Sequence, residues 1–242
     1  MEKNHTQKLI RRLKGVLTSL LIHAALAAFS QQSAPYLGEV ITLLGKTWPD
    51  NRTVNLVFHG HSVPAGYFKT PVVNSSSSYP QLSLSLIRQK HPHAVTNAIV
   101  TAIGGEHSED GQKRFASQVL TMRPDVVFID YALNDRRIGI ERARAAWSRM
   151  IEAAQALGVK VVLITPTPDT RENIKDEHAP LMAYAAMIRG LAGQYRTGLV
   201  DGYAAFRQKA LAGESMEGYM SQSNHPNEAG HRVVAVMIGE MF

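Results

Sequence analysis

The chain has 242 residues, 45% of them hydrophobic, a formal net charge of +6 and no cysteine. That length and apolar content suit one sizeable α/β domain, and the lack of cysteine excludes a disulfide framework, a Cys-based metal site and a thiol nucleophile. Five Lys and Arg against one Glu place +4 of the charge within residues 1–14, so the body lacks the continuous basic face that phosphate backbones require, and nucleic acid is not an expected partner.

Residues 1–35 read as a segment apart from the body. Their basic start leads into the apolar run Val16 to Phe29, which has the n-region and h-region pattern of a signal peptide. The run falls short of the roughly 20 apolar residues a spanning helix needs, so no stable membrane span is expected. Leu9, Leu13, Val16, Leu17, Leu20 and Ala24 also repeat at helical spacing, interrupted by Arg12, Thr18, Ser19 and His23, which describes an amphipathic helix. Both readings stand, and with them a cytoplasmic or an exported (periplasmic or secreted) location.

From residue 36 to 242 the pattern is that of a single domain. A short helix over 36–46 precedes a β-branched and aromatic strand over 54–58. The four consecutive serines 75–78 form a surface loop leading into a helix over 79–90. A second strand is predicted over 94–100, a helix over 110–122 that Arg123-Pro124 terminates, and a strand over 125–130 whose nearly continuous apolar run marks burial on both faces. A long helix over 139–157, a strand over 159–164, a helix over 178–195 and a short strand over 198–200 follow. Helices near 203–211 and over 228–242 end the chain. Five strands separated by helices imply βαβ crossovers, hence a three-layer α/β/α sandwich around a five-stranded parallel sheet.

Ligands of such sheets bind outside the carboxyl ends of the strands. Ser62 follows the first strand, Gly105 the second and Asn134 the third, and His225 lies in the loop before the last helix. A serine needs a nearby base to become a nucleophile, and His225 is the candidate.

Four blocks carry a family likeness: Gly60-His61-Ser62, Ile103-Gly104-Gly105-Glu106-His107-Ser108, Tyr131-Ala132-Leu133-Asn134-Asp135, and His225-Pro226-Asn227 with Gly230-His231. In order and spacing they resemble the SGNH hydrolases, or GDSL esterase/lipase family, from about Val54 to the C-terminus. The resemblance implies a flavodoxin-like fold, Ser62 as nucleophile and His225 as base. It also implies an oxyanion hole made by the Ser62 and Gly105 backbone N–H groups and the Asn134 side chain, with no cofactor and no metal. The expected partner is a small-molecule or carbohydrate ester, and a small acyl group such as acetyl is expected to leave through an acyl-enzyme.

The chain departs from the family at three places. The Asp before the nucleophile is His61, the Gly opening the third block is Ala132, and the Asp three residues before the base is Gln222. A neutral orienter is therefore expected for His225: the Gln222 carbonyl or a backbone carbonyl between residues 220 and 223, with Asp201 as the alternative acid. His61 is expected to brace the nucleophile loop by hydrogen bonding. Two other classes remain open at this level: a non-catalytic binding module that has lost the acid, and a metal hydrolase using His59, His61 and His225.

Overall fold

The computed structural model describes residues 36–242, and the predicted N-terminal segment, residues 1–35, lies outside them. The strands are β1 (Val54–Gly60), β2 (Thr96–Val100), β3 (Val126–Asp130), β4 (Lys160–Ile164) and β5 (Gly198–Val200). They form one parallel sheet in the order β2-β1-β3-β4-β5. Every residue of β3 is buried and β1 nearly so, whereas edge strand β2 is half exposed. Those burial patterns match the apolar runs that identified the strands.

Helices cover both faces. On one, Phe115 of α4 (Ser108–Gln118), Trp147, Met150 and Ile151 of α6 (Ile140–Gln155), and Ile188 and Leu191 of α7 (Pro180–Tyr195) pack with Val57, Val127, Ile129, Val161 and Leu163. On the other, the Phe58 ring stacks on Phe128 at 4.4 Å and meets Tyr79 of α3 (Tyr79–Lys90) edge-on at 5.9 Å. The Lys90 ammonium donates to the Gly239 carbonyl at 2.7 Å, tying α3 to α9 (Glu228–Glu240). The chain also carries α1 (Gly38–Leu44), α2 (Ser62–Ala65), α5 (Ala132–Asp135) and α8 (Gly202–Leu211). The three layers and the five parallel strands are those expected. Among the described residues no helix is long and apolar enough to cross a membrane.

Element ends differ from the sequence reading for local reasons. The strand expected at residue 94 starts at Thr96, because the Ala94 N–H closes a turn on the His91 carbonyl at 3.0 Å. The helix expected over 110–122 starts two residues earlier and stops at Gln118, and its last turn tightens into a 3₁₀ helix over Leu120–Met122. A two-stranded antiparallel hairpin, β6 (Met220–Gln222) and β7 (His225–Pro226), precedes α9 where the sequence reading has only a loop.

Strand order decides where a site can form. From β1 the chain moves to β2 on one side and returns to β3 on the other, so the loops after β1 and β3 diverge and leave a crevice between them. Ser62 opens α2 directly after β1, and Asn134 lies in α5 after β3.

Candidate active site

The turn that bears Ser62 begins where β1 ends. A Cβ at Gly60 would lie 2.3 Å from the Asp130 carbonyl oxygen, so only glycine lets β1 run so close to β3 there. The His61 N–H donates to that carbonyl at 3.2 Å. The His61 side chain then caps α2, its Nδ1 accepting from the Val63 N–H at 3.1 Å. This is the bracing role expected of His61. Because Nδ1 accepts, the ring proton sits on Nε2, which faces a carboxylate oxygen of Asp130 at 3.2 Å without the alignment of a hydrogen bond. Asp130 in turn accepts from the Tyr79 hydroxyl at 3.0 Å. Ser62 is thus the first residue of a short helix with a fully buried imidazole–carboxylate pair behind it.

The hairpin β6–β7 brings His225 to Ser62. Its Nε2 lies 2.8 Å from Ser62 Oγ, and its Nδ1 lies 2.8 Å from the Phe68 carbonyl oxygen. A carbonyl only accepts, so Nδ1 carries the proton, Nε2 is bare, and the Ser62 hydroxyl donates to it. This is the tautomer a general base needs. Burial pushes the His225 pKa below the ordinary imidazole value; the Phe68 carbonyl opposes that shift and nearby His61 adds to it.

The orienting group is a correction to the sequence reading. It is a neutral acceptor, as expected, but it is the backbone carbonyl of residue 68 rather than the Gln222 side chain or a carbonyl of residues 220–223. The Gln222 carbonyl oxygen instead accepts from the Thr70 N–H at 2.9 Å, and its amide donates to Asn224 at 3.2 Å. Asp201 is engaged elsewhere. It caps α8 through the Ala204 N–H at 3.2 Å, accepts from the Thr165 hydroxyl at 2.9 Å, and pairs with the Arg189 guanidinium at 2.6 and 3.0 Å. Burial raises its pKa, but the Arg189, Ala204 and Thr165 donors outweigh that and hold the carboxyl below its usual range.

Of the remaining candidates, Gly105 lies in the loop after β2 and Asn134 in α5 after β3. Gly105 has φ +79, a conformation that glycine adopts without strain, and its added Cβ would meet nothing. Its requirement is therefore backbone geometry. The Arg137 guanidinium donates to the Gly105 carbonyl, and the Asn134 amide nitrogen donates to the Glu106 carbonyl at 2.9 Å. Asn134 Nδ2 has a second hydrogen, and neither Ser62 nor Gly105 spends its backbone N–H on an acceptor among the described residues.

Buried ionic groups fix these loops. The Asp135 carboxylate accepts from the Ser108 N–H and from Trp147 Nε1, both at 2.7 Å, joining the loop after β2 to α6. Burial raises its pKa. Arg114 grips Glu106 with two donors, and the Tyr131 hydroxyl reaches the same carboxylate at 2.7 Å. His59 joins this cluster, with Nε2 3.0 Å from the Tyr131 hydroxyl and 3.2 Å from the Gly111 carbonyl, and Nδ1 2.9 Å from the Thr101 hydroxyl. Burial lowers its pKa to about 4. His59, His61 and His225 therefore each serve different protein partners, and among the described residues no group of three His, Cys, Asp or Glu side chains converges on a metal position.

The model of the GDSL-like lipase/acylhydrolase family matches residues 58–233. A comparison with curated protein sequences returns no match. Among solved structures, Axe2, an acetylxylan esterase from Geobacillus stearothermophilus, is 19% identical with a TM-score of 0.67, covering 78% of this chain and 93% of that one. Two further structures of Axe2 are catalytic mutants, one of a serine and one of a histidine. A two-domain esterase active on acetylated mannans (CEX) is 20% identical with a TM-score of 0.71, covering 87% of this chain and 53% of that one. The same esterase was also co-crystallised with mannopentaose, and that structure has a TM-score of 0.69 at 20% identity over 85% of this chain and 52% of that one.

Proposed function

We propose that this chain, which belongs to the GDSL-like lipase/acylhydrolase family and is a carboxylic ester hydrolase, removes acetyl or similarly small acyl groups from carbohydrate esters through an acyl-enzyme on Ser62. The contact that carries this reading is the 2.8 Å hydrogen bond from Ser62 Oγ to a His225 ring held in the base tautomer by the Phe68 carbonyl. A free serine hydroxyl is barely ionised near neutral pH, so attack on the acyl carbon requires His225 to take its proton. The tetrahedral oxyanion is stabilised by the Ser62 and Gly105 N–H groups and the second hydrogen of the Asn134 amide. One such donor is worth about 10²–10³ in rate. His225 then returns the proton to the leaving alcohol, and water, activated by the same imidazole, cleaves the acyl-enzyme.

The carbohydrate side of the proposal draws on the acetylxylan and acetylated-mannan esterases that share this fold. Acetate release from acetylated xylo- and manno-oligosaccharides tests it, with p-nitrophenyl butyrate as a comparison substrate. The expected result is turnover of the acetylated sugars that Ser62→Ala abolishes. Equal rates for the two proteins would favour a non-catalytic binding scaffold, and a preference for the butyrate ester would overturn the substrate class.

A further inference from the structure

Gln222 occupies the position where the family carries its acid, and the serine-esterase reading alone leaves it without a task. It lies directly across the hairpin from the base: β6 and β7 pair antiparallel with Gln222 opposite His225. Both side chains point to the same strap of chain, residues 67–74, which leaves the nucleophile helix and folds back on itself. Tyr67 and Val73 form an antiparallel bridge there, and the Phe68 N–H donates to the Val72 carbonyl at 3.0 Å. His225 meets the strap at the Phe68 carbonyl and Gln222 meets it two residues on, at the Thr70 N–H. The two bonds, 2.8 and 2.9 Å long, are rungs of one clamp between hairpin and strap.

We infer that Gln222 is a positioning residue that acts through the strap, holding the Phe68 carbonyl where it orients the His225 ring. Three observations agree with this. The Phe68 ring is stacked at 5.2 Å on buried His231, so the carbonyl is fixed from its side-chain end as well. The Gln222 amide is itself oriented by its donation to Asn224, which leaves the carbonyl end for Thr70. The strap offers an N–H at this point, so an acceptor of glutamine's length is the matching chemistry. In a triad the third group acts on the imidazole directly; here the residue at that position acts at one remove, and the charge is absent because the group being held is a peptide N–H.

The inference rests on the serine-esterase reading, and the two fail separately. Gln222→Met keeps the length and removes the acceptor, whereas Gln222→Glu keeps an acceptor oxygen. With p-nitrophenyl acetate, Gln222→Met should lower kcat by up to about 100-fold, the loss that a misplacement of about 1 Å can cost, with KM little changed. Gln222→Glu should recover most of the loss. The His225 Nδ1 proton, assigned by its disappearance in His225→Ala, should broaden or shift in the Met variant and persist in the Glu variant. Exchange of the Thr70 amide hydrogen should accelerate in the Met variant and not in the Glu variant. Gln222→Asn, one methylene too short to reach Thr70, provides the same reading should the Met variant fail to fold. Wild-type kcat and an unchanged Nδ1 resonance in the Met or Asn variant would overturn the inference while leaving Ser62 catalysis intact. Wild-type activity in Ser62→Ala would instead overturn the function on which it rests.

Discussion

Asp201→Asn separates a structural carboxylate from a catalytic one. The substituted amide keeps an oxygen for the Ala204 N–H and for the Thr165 hydroxyl, so the α8 cap survives, since asparagine caps as well as aspartate. What is lost is the charge facing Arg189 and the oxygen that accepts from its Nε–H. The Asp201 and Arg189 side chains are 25% and 33% exposed, so solvent screens the pair and its loss should cost only about 0.5–1 kcal/mol. For a domain of this size that is about 1–4 °C in Tm. The sign with pH follows from the depressed carboxyl pKa. The pair's stabilisation is fully present above the unfolded carboxylate pKa and is lost as pH falls through the lower folded value, so wild type and variant should converge in acid. Steady-state hydrolysis of p-nitrophenyl acetate should give kcat/KM within about twofold of wild type, whereas His225→Ala should lose about 10²–10⁴-fold or more. A loss in Asp201→Asn comparable with that of His225→Ala would make Asp201 the acid that orients the base and refute the assignment of that role to Phe68.

Three further outcomes are expected. Because burial lowers the His225 pKa below 6.5, the acid limb of the kcat/KM profile should lie below that value and activity should persist in mildly acidic buffer; a limb above about pH 7 would contradict this. Asn134→Ala should lower kcat by about 10²–10³-fold, read against an unchanged melting curve, and a wild-type kcat would remove Asn134 from the oxyanion site. Asp135→Ala leaves the buried Ser108 N–H and Trp147 indole N–H without an acceptor, which should cost about 2–4 kcal/mol. That corresponds to about 4–16 °C in Tm, and calorimetry showing no shift would contradict it.

The fold was legible because its evidence is periodic. β3 carries four consecutive apolar residues and Asp130 at its end, all buried, and the Trp147-bearing helix repeats its apolar face over four turns. Ser62 and His225 were legible as residue types in ordered blocks, and the strand ends put Ser62, Gly105 and Asn134 at one edge of the sheet. The orienting group of the base was not. A backbone carbonyl has no sequence signal, and Phe68 is 157 residues from His225 along the chain. Hairpin β6–β7 escaped for a related reason: its strands are three and two residues long and mostly polar, too short to alternate. Gln222 stands out in the sequence as a departure from the family pattern, but its target is a peptide N–H, equally silent in sequence. Asp201 suggested an acid because it ends a strand near the right edge, yet the position it occupies is the first cap of α8, where Asp is favoured for backbone reasons alone.

The most direct measurement is labelling by a fluorophosphonate probe, with the modified peptide located by mass spectrometry in wild type, His225→Ala and Asp201→Asn. Activation of Ser62 by His225 predicts a single adduct on Ser62, formed rapidly in wild type and in Asp201→Asn and lost in His225→Ala. An adduct on another residue, or undiminished labelling of Ser62 without His225, would contradict it.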